Sequence, residues 1–584
     1  MLRRLIRRED GYVLPMVLGL GLVLILVTAT ALSSTSSGNV KADTEADWNA
    51  ALAAAYAGIE DYASRLENDP GYVRYGNTAS DFSDGSNALS LPTGANANPA
   101  FDVAVNGAWA VVPGSDGAAK FRYEVSTARY PTEGIVRLRA TGLVGESTRS
   151  VIADLRQEGF SDFVYFTDYE VQDPLITPAA DDFCEAYKWV RPSSCSDITF
   201  VERDTIDGKV HSNDRMLICE AHFTGSVTTA NPNSPLYATG SGCGAPDFQV
   251  GPPRRVSAIT MPETNAEMKK ETRNDIPTEV ADPGCLYTGP TVIQLNSNGT
   301  MTVWSPFTKK TQVAATAAGA STPAKCGAPG TGAGQLGNVN GATIPVLDLN
   351  LLFVQNVPNL TSDPNYTATS TSPTNFICSG SGSSQAWRIA TSSTATPTQK
   401  FPMTDESIPA TSTSATPAYG CRNGDLYVKG TTNGRMTVAA ENYVYITGDL
   451  LYADSAEDML GVVGQNAIWI YNPMKTCGTT CTALLPKERT IKASLLSVKH
   501  TIQVQNWDKG VSRGTLNIVG SMAQKFRGTV GTGNGTTGYA KYYKYDARLT
   551  YSAPPKYLVP TSTTFSASQI AGVPAAFTPD GTAR

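Results

Sequence analysis

The chain has 584 residues, more than one hydrophobic core usually serves, so several domains or one elongated stack are expected. Its 46 basic and 52 acidic residues leave a net charge of −6, which carries no signature of nucleic-acid binding or of attraction to an anionic membrane face. Charged residues are 17% of the chain against roughly 25% in ordinary domains, and Gly, Ser, Thr, Asn and Ala are abundant, the composition of a turn-rich β protein outside the cell.

The first ten residues hold Arg3, Arg4, Arg7 and Arg8 with Glu9 and Asp10, and the charge ends at Gly11. Residues 12–32 carry none, and such a run covers a bilayer core of ~30 Å as a helix at ~1.5 Å per residue. The basic flank predicts a single-pass membrane protein with a cytoplasmic N-terminus and everything after residue 32 exported. Three fates are open: an uncut anchor, a signal peptide cut after Ala29-Thr30-Ala31, or cleavage on the cytoplasmic side after Gly11 that leaves the apolar helix on the protein.

The helix is expected to continue to residue 68. Trp48, Leu52, Ala55, Ile59, Tyr62 and Leu66 recur at alternating steps of four and three, with Asp47, Glu60, Asp61 and Arg65 between them. This stripe faces either a partner or the protein's own sheet. Asn68-Asp69-Pro70-Gly71 stops it. Residues 72–106 read as loop, and alternating strands follow at 108–112, 121–125 and 135–139, with a fourth at 151–155, separated by PGSDG and YPTEG turns.

The aromatic stretch GFSDFVYFTDYEVQDP, residues 159–174, marks a boundary. Beyond it short apolar runs alternate with Gly and Asn, which suits a β-solenoid whose coils bury their faces against one another, with a β-sandwich as the alternative. The Ser/Thr/Pro-rich residues 361–420 read as an excursion or linker. All ten cysteines lie at or after Cys184, and an even number beside an export segment reads as a disulfide framework. Consecutive pairing closes the shortest loops: Cys184 with Cys195, Cys219 with Cys243, Cys285 with Cys326, Cys378 with Cys421 and Cys477 with Cys481. Other connectivities remain open, and the spacings fit no zinc site.

Searches for catalytic patterns give little. GNGTTG at 533–538 matches GxGxxG but is followed by a tyrosine and lysine alternation suited to a strand, so it reads as a turn. His211-Ser212-Asn213-Asp214 gathers triad residue types, yet neighbours on a strand point to opposite faces. Asp204, Asp207 and Asp214 fit no calcium loop. Tyr165, Tyr169, Tyr542, Tyr543 and Tyr545 suit a sugar, a protein or simple packing. No cofactor and no enzymatic activity are expected, and the catalytic alternative is a carbohydrate-active β-solenoid.

The arginine-rich leader, Gly11 and the run YVLPMVLGLGLVLILVTATAL resemble the class III leader of type IV pilins and pseudopilins. LPMVLGLGLVLILVTATAL followed by WNAALAAAYAGIEDYASRL looks most like minor pilins of the PilX type. The phrases FVYFTDYE, GKVHSND, MLGVVGQNAIWIYNP and GSMAQKFRGTVGT resemble the large exported bodies of PilX-type proteins in high-GC Gram-positive bacteria.

The resemblance implies cleavage by a prepilin peptidase between Gly11 and Tyr12, N-methylation of Tyr12, assembly with other pilin subunits, and a host-cell or surface ligand for the body. One departure is Met16, where most pilins carry glutamate; subunits lacking that carboxylate are typically minor or tip subunits. The implied fold is α+β: a leader at 1–11, a helix whose membrane half is 12–32 and exported half 33–68, and a small antiparallel sheet at 69–159. A mainly-β body follows at 160–360, with the 361–420 excursion and a second part at 421–584. The function so implied is a minor pilin-like subunit displaying a β body for adhesion or assembly. The alternative is an anchored or secreted adhesin, or a carbohydrate-active solenoid, that never enters a pilus.

Overall fold

The computed structural model describes residues 40–86, 89–93, 97–101, 109–130, 135–157, 159–176, 182–475, 481–550, 552–560 and 565–584. The leader, Gly11, Tyr12, Met16 and the apolar run 12–32 lie outside the described residues. Two compact units are present: Met1–Glu158 with Thr563–Arg584, and Gly159–Ser562.

The class is mainly β, which corrects the α+β expectation. The described residues hold two α-helices, Val40–Asn68 and Ala266–Lys270, and all other regular elements are strands and short 3-10 turns. The long helix expected over 12–68 is described only as Val40–Asn68. Its charge also bears on placement: with Asp47, Glu60, Asp61, Arg65 and Glu67 along it, it is unsuited to a bilayer. Among the described residues no helix is long and apolar enough to cross a membrane, and this finding corrects the single-pass placement with an extracellular body.

In the first unit the helix lies on a five-stranded antiparallel sheet. Strands Ala110–Val111, Ala119–Ser126, Ile135–Val144 and Ser147–Gln157 are consecutive, and Phe565–Val573 from the end of the chain pairs beside Ser147–Gln157. The reading of 421–584 as one body therefore differs from the structure at this strand. Everything in Gly159–Ser562 is an insertion between the fourth and fifth strands.

The helix presents Ala51, Ala54, Ala55, Ile59, Tyr62 and Leu66 to its own sheet, all buried. Alanine on that face permits close approach, and at Gly142 a Cβ would stand 2.0 Å from the Ala51 carbonyl oxygen. Trp48, expected in the same stripe, is 50% exposed, with the Arg149 guanidinium 4.6 Å from its ring centre. After Asn68, Asp69 Oδ1 accepts from Gly71 N at 2.9 Å and opens the short turn Pro70–Arg74.

The second unit is a stack of parallel coils. One ladder runs through Cys285–Thr288, Asn350–Gln355, Arg435–Ala440, Met459–Gly464, Arg489–Ser497 and Ser512–Phe526. It continues into Tyr165–Tyr169, Val210–Ser212, Val227–Thr229 and Arg254–Arg255, every pair parallel. Spatial order thus departs from chain order. The chain enters mid-stack at Tyr165, builds coils to one end, crosses to the other end through residues 256–284, and returns until Ser512–Phe526 meets the entry strand.

Inward-facing Leu352, Val438, Val462, Leu495 and Met522 stack on one another inside the coils. Outward positions are also apolar: Leu286, Phe353, Ala439, Val463, Leu496, Ala523 and Phe166 form a row covered by the crossing segment through Met261 and Met268. Asn213 pins the start of that segment, donating Nδ2 to the Ile259 carbonyl at 2.7 Å and accepting from Ile259 N at 2.9 Å. Asn265 pins it further on, donating Nδ2 to the Ala440 carbonyl at 2.8 Å.

Residues 361–420 are a packed cover rather than a linker. They hold a three-stranded antiparallel sheet, Phe376–Ser379, Ala386–Ile389 and Gln399–Phe401, whose Trp387 and Phe401 bury the outward row Tyr427, Tyr445 and Trp469. Bonds join Cys184 to Cys195, Cys219 to Cys243, Cys285 to Cys326 and Cys378 to Cys421. No described cysteine is free; Cys477 lies outside the described residues, so its pairing with Cys481 does too.

Candidate binding cleft at the rung ends

Four neighbouring strands run in register near their C-terminal ends. Ser497, Gln524, Thr167 and Ser212 are in parallel register, so the residues that follow, Val498, Lys525, Asp168 and Asn213, form a row across the stack. At ~4.8 Å per rung the row is ~14 Å long. The crossing segment, through Thr260 to Glu263, makes one wall, and the loop closed by Cys184 and Cys195 brings Glu185 and Tyr187 to the other. The cleft so enclosed has a volume of about 190 Å³.

Its aromatic side is a column of rings. Phe526 stacks on Tyr169 at 5.4 Å, Tyr169 meets Tyr187 at 4.9 Å, and Tyr187 stacks on Trp189 at 4.8 Å. Asp168 is held in place at the base: its Oδ1 accepts from Tyr187 Oη at 3.0 Å and Asn213 Nδ2 at 2.9 Å. Burial raises the Asp168 carboxyl above its ordinary range, the two hydrogen bonds opposing it. Burial likewise raises the phenol of Tyr169 to about 12. Lys525 pairs with Glu185 at 2.5 Å on the rim, and Glu263 and Lys499 stand exposed beside it.

Below the cleft lies a buried ionic lattice. Arg191 binds Asp197 at 2.6 Å and pairs with Asp214, while Arg527 donates to Glu170 at 2.8 Å over the face of Phe200. These pairs fix the disulfide loop and the strand ends that carry the cleft residues; removing one partner would strand a buried charge.

The residues singled out in the sequence separate into different roles. His211 is buried in the outward row, stacked on Phe166 at 5.5 Å, and burial lowers its pKa to about 4. Ser212 Oγ accepts from Thr167 Oγ1 and Asp214 N, and Asp214 serves Arg191, so no triad forms. Asp204 pairs with Lys541 and Asp207 accepts from Thr224 Oγ1. No cluster of three metal-ligating side chains occurs among the described residues.

Residues 533–538 are a turn closed by Gly535 N donating to Thr532 O at 3.0 Å, and the strand Gly538–Tyr545 follows where a phosphate-binding loop needs a helix. Tyr165 and Tyr543 are core, Tyr545 is partly buried against it, and Tyr542 is 38% exposed away from the cleft. Only Tyr169 of the five lines it. The missed members, Asp168, Glu185, Tyr187 and Lys525, come from three segments; the local signal was the aromatic density of Tyr187-Lys188-Trp189 within CEAYKW, residues 184–189.

No protein-family model matches the chain, and no curated protein matches it. Among solved structures, the competence-associated pilin ComZ from Thermus thermophilus aligns over 92% of this chain and 99% of its own, at 12% identity and a TM-score of 0.25. At that score the likeness assigns neither fold nor role.

Proposed function

We propose that the chain is a minor subunit of a type IV pilus-like filament, placed at a filament end, with an inserted β body that serves adhesion or assembly. The observation that carries this reading is the leader itself: Arg3, Arg4, Arg7 and Arg8, a charge pattern that stops at Gly11, and the uncharged residues 12–32 that cleavage there would leave on the mature chain. Support comes from the described helix Val40–Asn68, which follows that segment in the chain and docks on an antiparallel sheet. The placement at an end follows from size. A body as large as Gly159–Ser562, repeated at every subunit of a tight helical array, would collide with itself.

In this reading the working partners are a prepilin peptidase and other pilin subunits, and the chain is not an enzyme. Met16, in place of the usual glutamate, suits a subunit that needs no charge pairing with a neighbour above it.

Mass spectrometry of the mature N-terminal peptide tests the reading. A chain that begins at an N-methylated Tyr12 and copurifies with filaments is expected. A chain that begins at Leu32, or retains Met1 or Leu2, overturns it and leaves the second reading, a binding protein outside any pilus, which the cleft at the rung ends favours.

A further inference from the structure

We propose that the cleft at the rung ends is a binding site for a neutral sugar, whose hydroxyls bridge Asp168 and Lys525 beside the edges of the Tyr169 and Tyr187 rings. This assignment stands on the cleft and not on the filament reading.

Three observations converge. First, Asp168 is preorganised: Tyr187 and Asn213 fix its Oδ1, and its Oδ2 takes no hydrogen bond among the described contacts, leaving a fixed acceptor on the cleft floor. A carboxylate oxygen so placed accepts from sugar hydroxyls at no cost of ordering the side chain. Second, the rings of the aromatic column cover one another's faces, so Tyr169 and Tyr187 present the cleft with a rigid amphipathic edge that needs no ordering when a ligand arrives.

Third, the charges around the cleft are mixed. An anionic ligand would meet Asp168, Glu185 and Glu263, and a cationic one would meet Lys499 and Lys525. A hydroxyl both donates and accepts, so a neutral polyol satisfies carboxylate and ammonium together where an ion satisfies only half the site. Val498 and Asn213, at the two ends of the row, are buried, Asn213 beneath Ile259 of the crossing segment, so the open part lies around Asp168 and Lys525 and its volume of about 190 Å³ limits the ligand to about one sugar ring.

The test applies the full-length chain to an array of neutral, acidic and amino-bearing glycans, followed by calorimetric titration of the best neutral sugar. Saturable binding of a neutral glycan is expected. Asp168→Asn, which keeps the shape but not the charge, and Lys525→Gln on the rim should each weaken it about tenfold. Tyr542→Ala, an exposed tyrosine outside the cleft, should leave affinity unchanged. Circular dichroism checks folding, and Lys525→Gln keeps the test decisive should Asp168→Asn misfold. Failure of every neutral glycan to bind overturns the proposal. So does preference for acidic or amino-bearing glycans, or affinity indifferent to both cleft substitutions.

Discussion

Ala523 lies in parallel register with Phe166, which makes the last long strand of the body the neighbour of its first. The stack is therefore closed by contacts between chain-distant residues, and its two halves, coils built from the entry strand and coils built on the return, meet there and through Gly538–Tyr545, which pairs with both Ser512–Phe526 and Thr205–Asp207.

Phe166 is wholly buried there, against Phe160 at 5.1 Å and His211 at 5.5 Å. Phe166→Ala should cost about 3–5 kcal/mol through the cavity it leaves. Hydrogen exchange should show protection falling together in the strands around Val210 and around Leu495, because both halves lose their shared rung. Loss confined to one half would contradict the closure described.

Gly142 allows the helix of the first unit to touch its sheet backbone to backbone. A Cβ there would stand 2.0 Å from Ala51 O and 2.4 Å from Ala55 N, atoms that cannot rotate away. Gly142→Val should destabilise this unit by about 2–3 kcal/mol or more, as overpacking does. Denaturant unfolding followed by exchange in Val40–Asn68 checks it.

Asp425 gives the body a pH-dependent stability. It is wholly buried, Oδ1 accepts from Asn442 Nδ2 at 2.6 Å and Tyr443 N at 3.2 Å, and burial pushes its pKa up to about 8 against these bonds. The unfolded carboxyl titrates near ~4. Because the folded value is the higher one, the contribution is fully present below about pH 4 and is lost as pH rises through about 8, an effect on the order of several kcal/mol. Asp425→Asn should flatten stability between those limits. An unchanged slope in urea melts from pH 5 to pH 8.5 would show that other groups govern it.

The Cys378–Cys421 bond ties down the cover over Tyr427, Tyr445 and Trp469. A loop of this length contributes roughly 4 kcal/mol in the chain-entropy account. The double substitution Cys378→Ser with Cys421→Ser should loosen residues 376–421 first, exposing Trp387 and Trp469 to a soluble quencher and the Ser/Thr/Pro-rich stretch to proteases, before the parallel stack unfolds.

Local signals were legible wherever neighbours in sequence are neighbours in space. The amphipathic stripe from Ala55 to Leu66 and its stop at Asn68-Asp69 can be read from residue spacing, because helical periodicity is a short-range property. The alternation at 121–125 and 135–139 likewise predicts strands joined by tight turns. The chain-wide class is mainly β and not α+β, since a long helix weighs heavily in a sequence while the thirty-one strands among the described residues, most of them short, do not.

The membrane placement rests on residues 12–32, which lie outside the described residues, and no described helix is long and apolar enough to cross a membrane.

What the sequence alone determined, then, is the charged N-terminal stretch that stops at Gly11, the docking stripe of the helix, the turn chemistry and the inventory of cysteines. The tertiary structure decided the rest. Phe565–Val573 completes a sheet begun before residue 158, Phe166 meets Ala523, and Asp168, Tyr187 and Lys525 converge on one cleft. Parallel coils make this unavoidable: each strand's partner lies a whole coil away or more, and which coils adjoin is fixed by burial of inward and outward rows over the entire stack, information that no local stretch contains.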